Sequence, residues 1–227
     1  MNLRGLNDRY RSMILNPLVK AAMPLLPQHP ILHQSFALID QAMGPHTFSP
    51  EEYAVVRRVI HSTADLEFAQ LLQISPNAIA AGVQALQAGV PIVVDVGMVR
   101  QGCQSMVQRT FGNSLRAAVD LATVAAPGKT RTATGLLAAA QRWPEAIYVI
   151  GNAPTALQAL CDQVEAAVIA PPLIIGVPVG FVGVVEAKRQ LEALSVPQIR
   201  VAGRKGGSAV AAAIVNALLV LAWEALP

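Results

Sequence analysis

The sequence predicts an α/β fold: a mostly parallel sheet with helices on both faces, three layers deep, in a single domain. Three observations carry this. Short apolar runs alternate with Ala-rich stretches of helical length, an order that needs crossover connections and therefore a parallel sheet. The runs read as buried strands, each ending in Gly, Asp or a polar turn. And the 227 residues are 53% hydrophobic and 14% charged, against about 45–50% and roughly 25% in ordinary globular chains. Such a chain can bury a sizeable core, and its apolar excess points to further burial by self-association.

Residues 1–30 differ in character from the rest. Arg4, Arg9, Arg11 and Lys20 stand among Leu, Met and Pro, and Pro17, Pro24, Pro27 and Pro30 interrupt any helix. This segment is expected to be an N-terminal arm on the body or on a partner subunit, with residues 31–227 forming the α/β domain. A basic amphipathic membrane anchor is the competing reading, and the prolines shorten its helix. Ser49-Pro50-Glu51-Glu52 is a helix start, with Ser at the N-cap, Pro at N1 and Glu at N3. The helix carries an apolar stripe, Val55, Val56, Val59 and Ile60, and delivers His61.

The strands expected beyond it are Pro91 to Asp95, Ala146 to Ile150, Leu173 to Ile175 and Ile199 to Val201. The helices are Asn77 to Ala88, Thr132 to Arg142, Thr155 to Val164, Val184 to Leu194 and Ser208 to Leu226. The last could be mistaken for a membrane span. Its borderline length, weakly apolar alanines, Asn216 and Glu224 instead favour a buried terminal helix.

Several function classes fall away. The formal charge is +3, and the scattered basic residues have no aromatic interleaving, which argues against nucleic acid. Cys103 and Cys161 lie far apart without ligand spacing, so no metal site is expected and a reducing compartment is. Asn7-Asp8-Arg9-Tyr10-Arg11 falls where a secretory segment would need apolar residues, which makes the cytoplasm the expected location. No phosphate-binding or dinucleotide fingerprint occurs.

In parallel sheets ligands bind beyond the carboxyl ends of the strands. Three strand-to-helix turns there are Gly-rich: Gly151-Asn152-Ala153-Pro154-Thr155, Gly176 to Gly183, and Gly203-Arg204-Lys205-Gly206-Gly207-Ser208. Backbone amides in such turns attract anions, so three at one edge suit a ligand with several anionic groups. His61 is the candidate acid or base, because imidazole exchanges protons near neutral pH. Ser62, Thr63 and Asp65 are its nearest candidate partners in the chain. A structural histidine at a helix end is the bland alternative.

These motifs resemble one family, precorrin-8X methylmutase. The matching pieces are Ser35-Phe36, Ile60-His61, Pro91 to Asp95 with Met98-Val99, Thr130-Arg131-Thr132-Ala133, Gly151 to Leu157, Gly176 to Gly183 with Glu186 and Lys188, and Gly203 to Ala209, in family order. Gly97 is a departure, standing before Met98-Val99 where a larger, often acidic residue is expected.

The resemblance implies an isomerase of cobalamin (corrin) biosynthesis. It would move a methyl group between adjacent ring-C carbons of precorrin-8X, giving hydrogenobyrinate, or of cobalt-precorrin-8, giving cobyrinate. It implies a homodimer and no cofactor, with His61 as the catalytic proton donor. Ser35 and Arg131 would line the substrate. The turns would add Gly151, Asn152, Thr155, Gly180, Gly206, Gly207 and Ser208, suited to a flat macrocycle rimmed by carboxylates. The alternatives are a non-catalytic tetrapyrrole carrier, separable by turnover, and a nucleotide-dependent oxidoreductase, disfavoured by the missing fingerprints.

Overall fold

The structure, a computed structural model, describes residues 29–226. The expected arm lies outside the described residues except for its last two. His29 caps the first helix, α1 (Pro30–Met43), by accepting from the Ile31 amide. Helix α2 (Pro50–Thr63) opens on the expected capping box: Ser49 Oγ accepts from the Glu52 amide at 3.2 Å, and Glu52 accepts from the Ser49 amide at 2.9 Å.

A short helix α3 (Phe68–Leu71), strand β1 (Leu72–Ile74) and helix α4 (Ala78–Gln87) lead into the repeating part. There β2 (Ile92–Val94) is followed by α5 (Gly97–Arg109), and β3 (Leu115–Ala117) by a 3-10 turn (Ala118–Leu121) and α6 (Arg131–Arg142). Next come β4 (Ile147–Ile150), α7 (Pro154–Glu165), β5 (Ile174–Gly176), α8 (Val184–Ala193), β6 (Gln198–Val201) and α9 (Ser208–Glu224).

The six strands lie in the order β1-β6-β5-β4-β2-β3, parallel throughout except that β1 runs antiparallel to β6. Side chains alternate across the sheet, as the strand period requires. Val93, Tyr148, Ile150 and Ile174 point into one apolar cluster with α6, α7 and α8. Ile92, Val94, Ile147, Val149, Ile175, Ile199 and Val201 point into the other, with α4, α5 and α9. Both faces of the sheet are therefore covered, as the sequence predicts.

Helix α9 is buried almost all round, because α2 packs across its outer side while its inner side meets β4 and β5. Its apolar circumference is that of a core helix. Among the described residues no helix is long and apolar enough to cross a membrane. Burying Val55, Val56, Val59 and Ile60 against α9 contributes roughly 1.5–3 kcal/mol per side chain. That packing fixes where the last turn of α2 ends. Cys103 and Cys161 are free and buried, and burial pushes both thiols up to about 12.

Strands β1 and β3 and helix α5 do not follow from the sequence patterns. β1 and β3 are three-residue edge strands carrying a polar centre, Gln73 and Arg116, and they depend on one neighbour each. α5 begins at Gly97 and contains Gly102 and four polar or charged positions in its second half, so its helicity comes mainly from packing against α9.

Candidate functional site

His61 occupies the last turn of α2, exposed at the carboxyl edge of the sheet. Its orienting partner comes from another helix: Ser35 Oγ of α1 lies 2.8 Å from His61 Nδ1. Phe36 of α1 meets the imidazole edge-on, with centroids 5.5 Å apart and planes at 84°. The Arg57 guanidinium covers the Phe36 ring at 4.4 Å.

The nearby polar residues that the sequence offers for this role do other work. Ser62 and Thr63 turn back onto carbonyls of their own helix, as hydroxyls near a helix end do. Asp65 accepts from Lys205 Nζ at 2.6 Å, which also holds Glu67 at 2.6 Å. Lys205 pulls the Asp65 carboxyl below its ordinary range. Ser35 Oγ and His61 Nδ1 share one hydrogen bond whose direction follows the protonation of the ring, and Nε2 has no hydrogen-bond partner among the described residues.

The first turn of α9 adjoins the residue after this histidine. Ser62 Oγ reaches the Ala209 carbonyl at 3.5 Å, and the Lys205 ion pairs tie residues 65–67 to the turn before α9. This turn is in turn joined to the one after β5: Gly207 N–H donates to Val177 O at 2.9 Å, and Gly180 N–H to Arg204 O at 3.3 Å. Gly206 has φ +145°, and a Cβ there would lie 2.3 Å from the Val177 carbonyl oxygen. Its glycine is needed for loop-to-loop contact. The resemblance places this residue in the substrate lining, and the bare Cα is accounted for by the neighbouring loop.

The Gly151 turn also differs from expectation. Its amides are engaged by the protein's own carboxylate: Asp95, fully buried at the end of β2, accepts from Gly151, Asn152 and Ala153 at 3.0, 2.7 and 2.9 Å. A fourth bond comes from the Val96 amide at 3.0 Å. Burial pushes this carboxyl up, against the pull of the four amides. The amides of Gly151 and Asn152 are thus not free for a ligand, which leaves side chains at that turn. Sequence reasoning missed the clamp, although an aspartate closing an apolar strand was its signal. The Gly151 backbone itself sits against Val99, Ala211 and Ser208, with no room for a Cβ. Ser208 is buried, and its hydroxyl has no partner among the described residues.

Thr155, in the first turn of α7, is bonded to Thr130 Oγ1 at 2.9 Å, and Thr130 caps α6 by accepting from Ala133. Arg131 begins α6, is exposed, and has no ion pair among the described residues. Two groupings result: His61 with Ser35, the Gly206 to Ser208 turn and Gly180, and Arg131 with Thr155. Gly97 has only the Arg100 guanidinium within 4.0 Å of a would-be Cβ, so the departure leaves open space at the start of α5. Among the described residues no group of acidic, His or Cys side chains could hold a metal ion.

This arrangement can donate a proton from an oriented imidazole beside several cationic and hydroxyl side chains. The comparisons identify the family. The family model described as Precorrin-8X methylmutase matches residues 30–221. A cobalt-precorrin-8 methylmutase from Synechocystis sp. is 57% identical over 211 residues, covering 87% of this chain and 97% of the relative. A precorrin-8X methylmutase from Pseudomonas aeruginosa is 40% identical, covering 83% and 93%. The solved precorrin-8X methylmutase of Thermus thermophilus superposes with a TM-score of 0.78 at 41% identity, covering 86% of this chain and 98% of its own. With a family model matching residues 30–221 and relatives covered over most of their length, the chain belongs to the precorrin-8X methylmutase family.

Proposed function

We propose that this isomerase of corrin biosynthesis acts on cobalt-precorrin-8, giving cobyrinate, with His61 as the proton donor. The single observation that carries the mechanism is the Ser35–His61 contact of 2.8 Å, which orients an exposed imidazole at the sheet edge. Protonating the conjugated macrocycle makes the neighbouring ring-C carbon electron-poor. A methyl group migrating with its bonding electrons is then drawn to it, and the proton returns afterwards. The shift neither gains nor loses electrons, so no redox cofactor is required. The cobalt form is favoured by the 57% identical relative, which is named for it. Incubation with the metal-free and the cobalt-loaded precursor, followed by visible spectroscopy, tests this; turnover of the metal-free compound alone would overturn the cobalt assignment.

Arg131, Thr155 and the Ser208 hydroxyl would help hold the carboxylate rim, because each keeps hydrogen-bonding capacity at these turns. Arg131→Ala is expected to raise KM by about tenfold or more, and Arg131→Lys by less, since a planar fork can hold a carboxylate bidentately. Steady-state kinetics showing both variants equal to wild type would remove Arg131 from the site.

The active form would be a cytoplasmic homodimer. Phe181 and Val182, in the turn after β5, are 86% and 88% exposed, and Met98 at the start of α5 is 73% exposed. Apolar side chains left this bare at the sheet edge suit a partner subunit or the macrocycle. An interface of this kind buries about 1,200 Å² or more. Light scattering and assays across a dilution series should show dimer and activity falling together, and a fully active monomer would contradict the proposal.

A further inference from the structure

Lys188 lies on the buried stripe of α8, with Val184, Ala187 and Leu191 at helical spacing, and is only 4% exposed. Buried lysines ordinarily have a carboxylate partner; this one has none among the described residues. Its Nζ donates instead to two carbonyl oxygens of the turn before α9, Gly203 O at 2.9 Å and Lys205 O at 2.6 Å. Asp65 and Glu67, the carboxylates tied to that turn, are held by Lys205 Nζ. Burial alone lowers the Lys188 ammonium to about 8.

The planar trans peptide adds a consequence. In each unit the C=O and the following N–H point in opposite directions. Drawing the carbonyls of Gly203 and Lys205 inward therefore turns the amides of Arg204 and Gly206 outward, and neither amide bonds to a described acceptor. Just beyond them begins the 17-residue helix α9, whose amino end also favours negative charge.

We propose that Lys188 is a positioning residue for substrate binding: its ammonium holds the Gly203–Gly207 turn with the Arg204 and Gly206 amides presented to a carboxylate of the macrocycle. This rests on the reading of that turn as part of the substrate site. Lys188 touches no substrate itself. It sets the shape of the turn and leaves a positive charge beneath it with no carboxylate opposite. A lysine in the middle of an apolar helical stripe was the sequence signal.

The test compares the full chain with Lys188→Met, which removes charge and donors, and Lys188→Gln, which keeps donors without charge. Two readouts are used. The first is hydrogen exchange at the Gly180 and Gly207 amides, which bond Arg204 O and Val177 O across the two turns. Exchange at both should accelerate at least about tenfold in Lys188→Met and stay closer to wild type in Lys188→Gln. The second is steady-state kinetics with cobalt-precorrin-8, where KM should rise roughly tenfold in Lys188→Met while kcat changes less than about twofold. Wild-type exchange together with wild-type KM in Lys188→Met would overturn the proposal. So would a fall in kcat at constant KM. Should the wild type turn over neither precursor, the assigned reaction fails, whereas the exchange readout still decides whether Lys188 holds the turn.

Discussion

Replacing His61 with Ala is expected to lower turnover by about 10²- to 10⁴-fold, the usual worth of a positioned general acid. Product binding and the melting temperature should change little, because His61 is exposed at a helix end and the packing of α2 rests on Val55, Val56, Val59 and Ile60. Ser35→Ala should cost less, since it frees the ring without removing the acid. Turnover would be followed by visible spectroscopy and binding by titration with cobyrinate. A His61→Ala protein with wild-type turnover would assign the proton to another group, and a protein that neither turned over nor bound would point to a structural histidine.

The second large effect is expected at Asp95. Asp95→Ala leaves four amides without an acceptor, and each unpaired buried donor costs about 1–3 kcal/mol. Relief from burying a carboxylate offsets part of this. The net loss is expected to be about 3–5 kcal/mol, which for a chain of this length lowers Tm by roughly 6–20 °C. Asp95→Asn should fall between, keeping one acceptor oxygen while facing an NH₂ group toward amide donors. Thermal unfolding is the measurement. A Tm for Asp95→Ala within about 2 °C of wild type would mean that water or a backbone shift satisfies the turn without the carboxylate.

The four central strands and helices α6, α7 and α8 are legible because their signals are local. Ile92 to Val94 and Ile147 to Ile150 are apolar at every position, as strands covered on both sides must be, and Ser49-Pro50-Glu51-Glu52 carries its own cap. The edge strands β1 and β3 are not legible, since Leu72-Gln73-Ile74 and Leu115-Arg116-Ala117 become strands only through β6 and β2. The same division holds at the site. His61 and the glycine-rich turns stand out from residue type and spacing, and the family motifs name them.

Their relations across the fold do not. Ser35 meets His61 over 26 residues, Asp95 closes the Gly151 turn over 56, and Lys188 holds Gly203 over 15. The sequence by itself determined the α/β class and the helix that carries His61, because periodicity and capping act within a few residues. Only the tertiary structure decided which glycine-rich amides remain free and which already serve a buried Asp or a neighbouring loop. Hydrogen-bond capacity is settled by whichever group arrives in space, and separation along the chain carries no record of that.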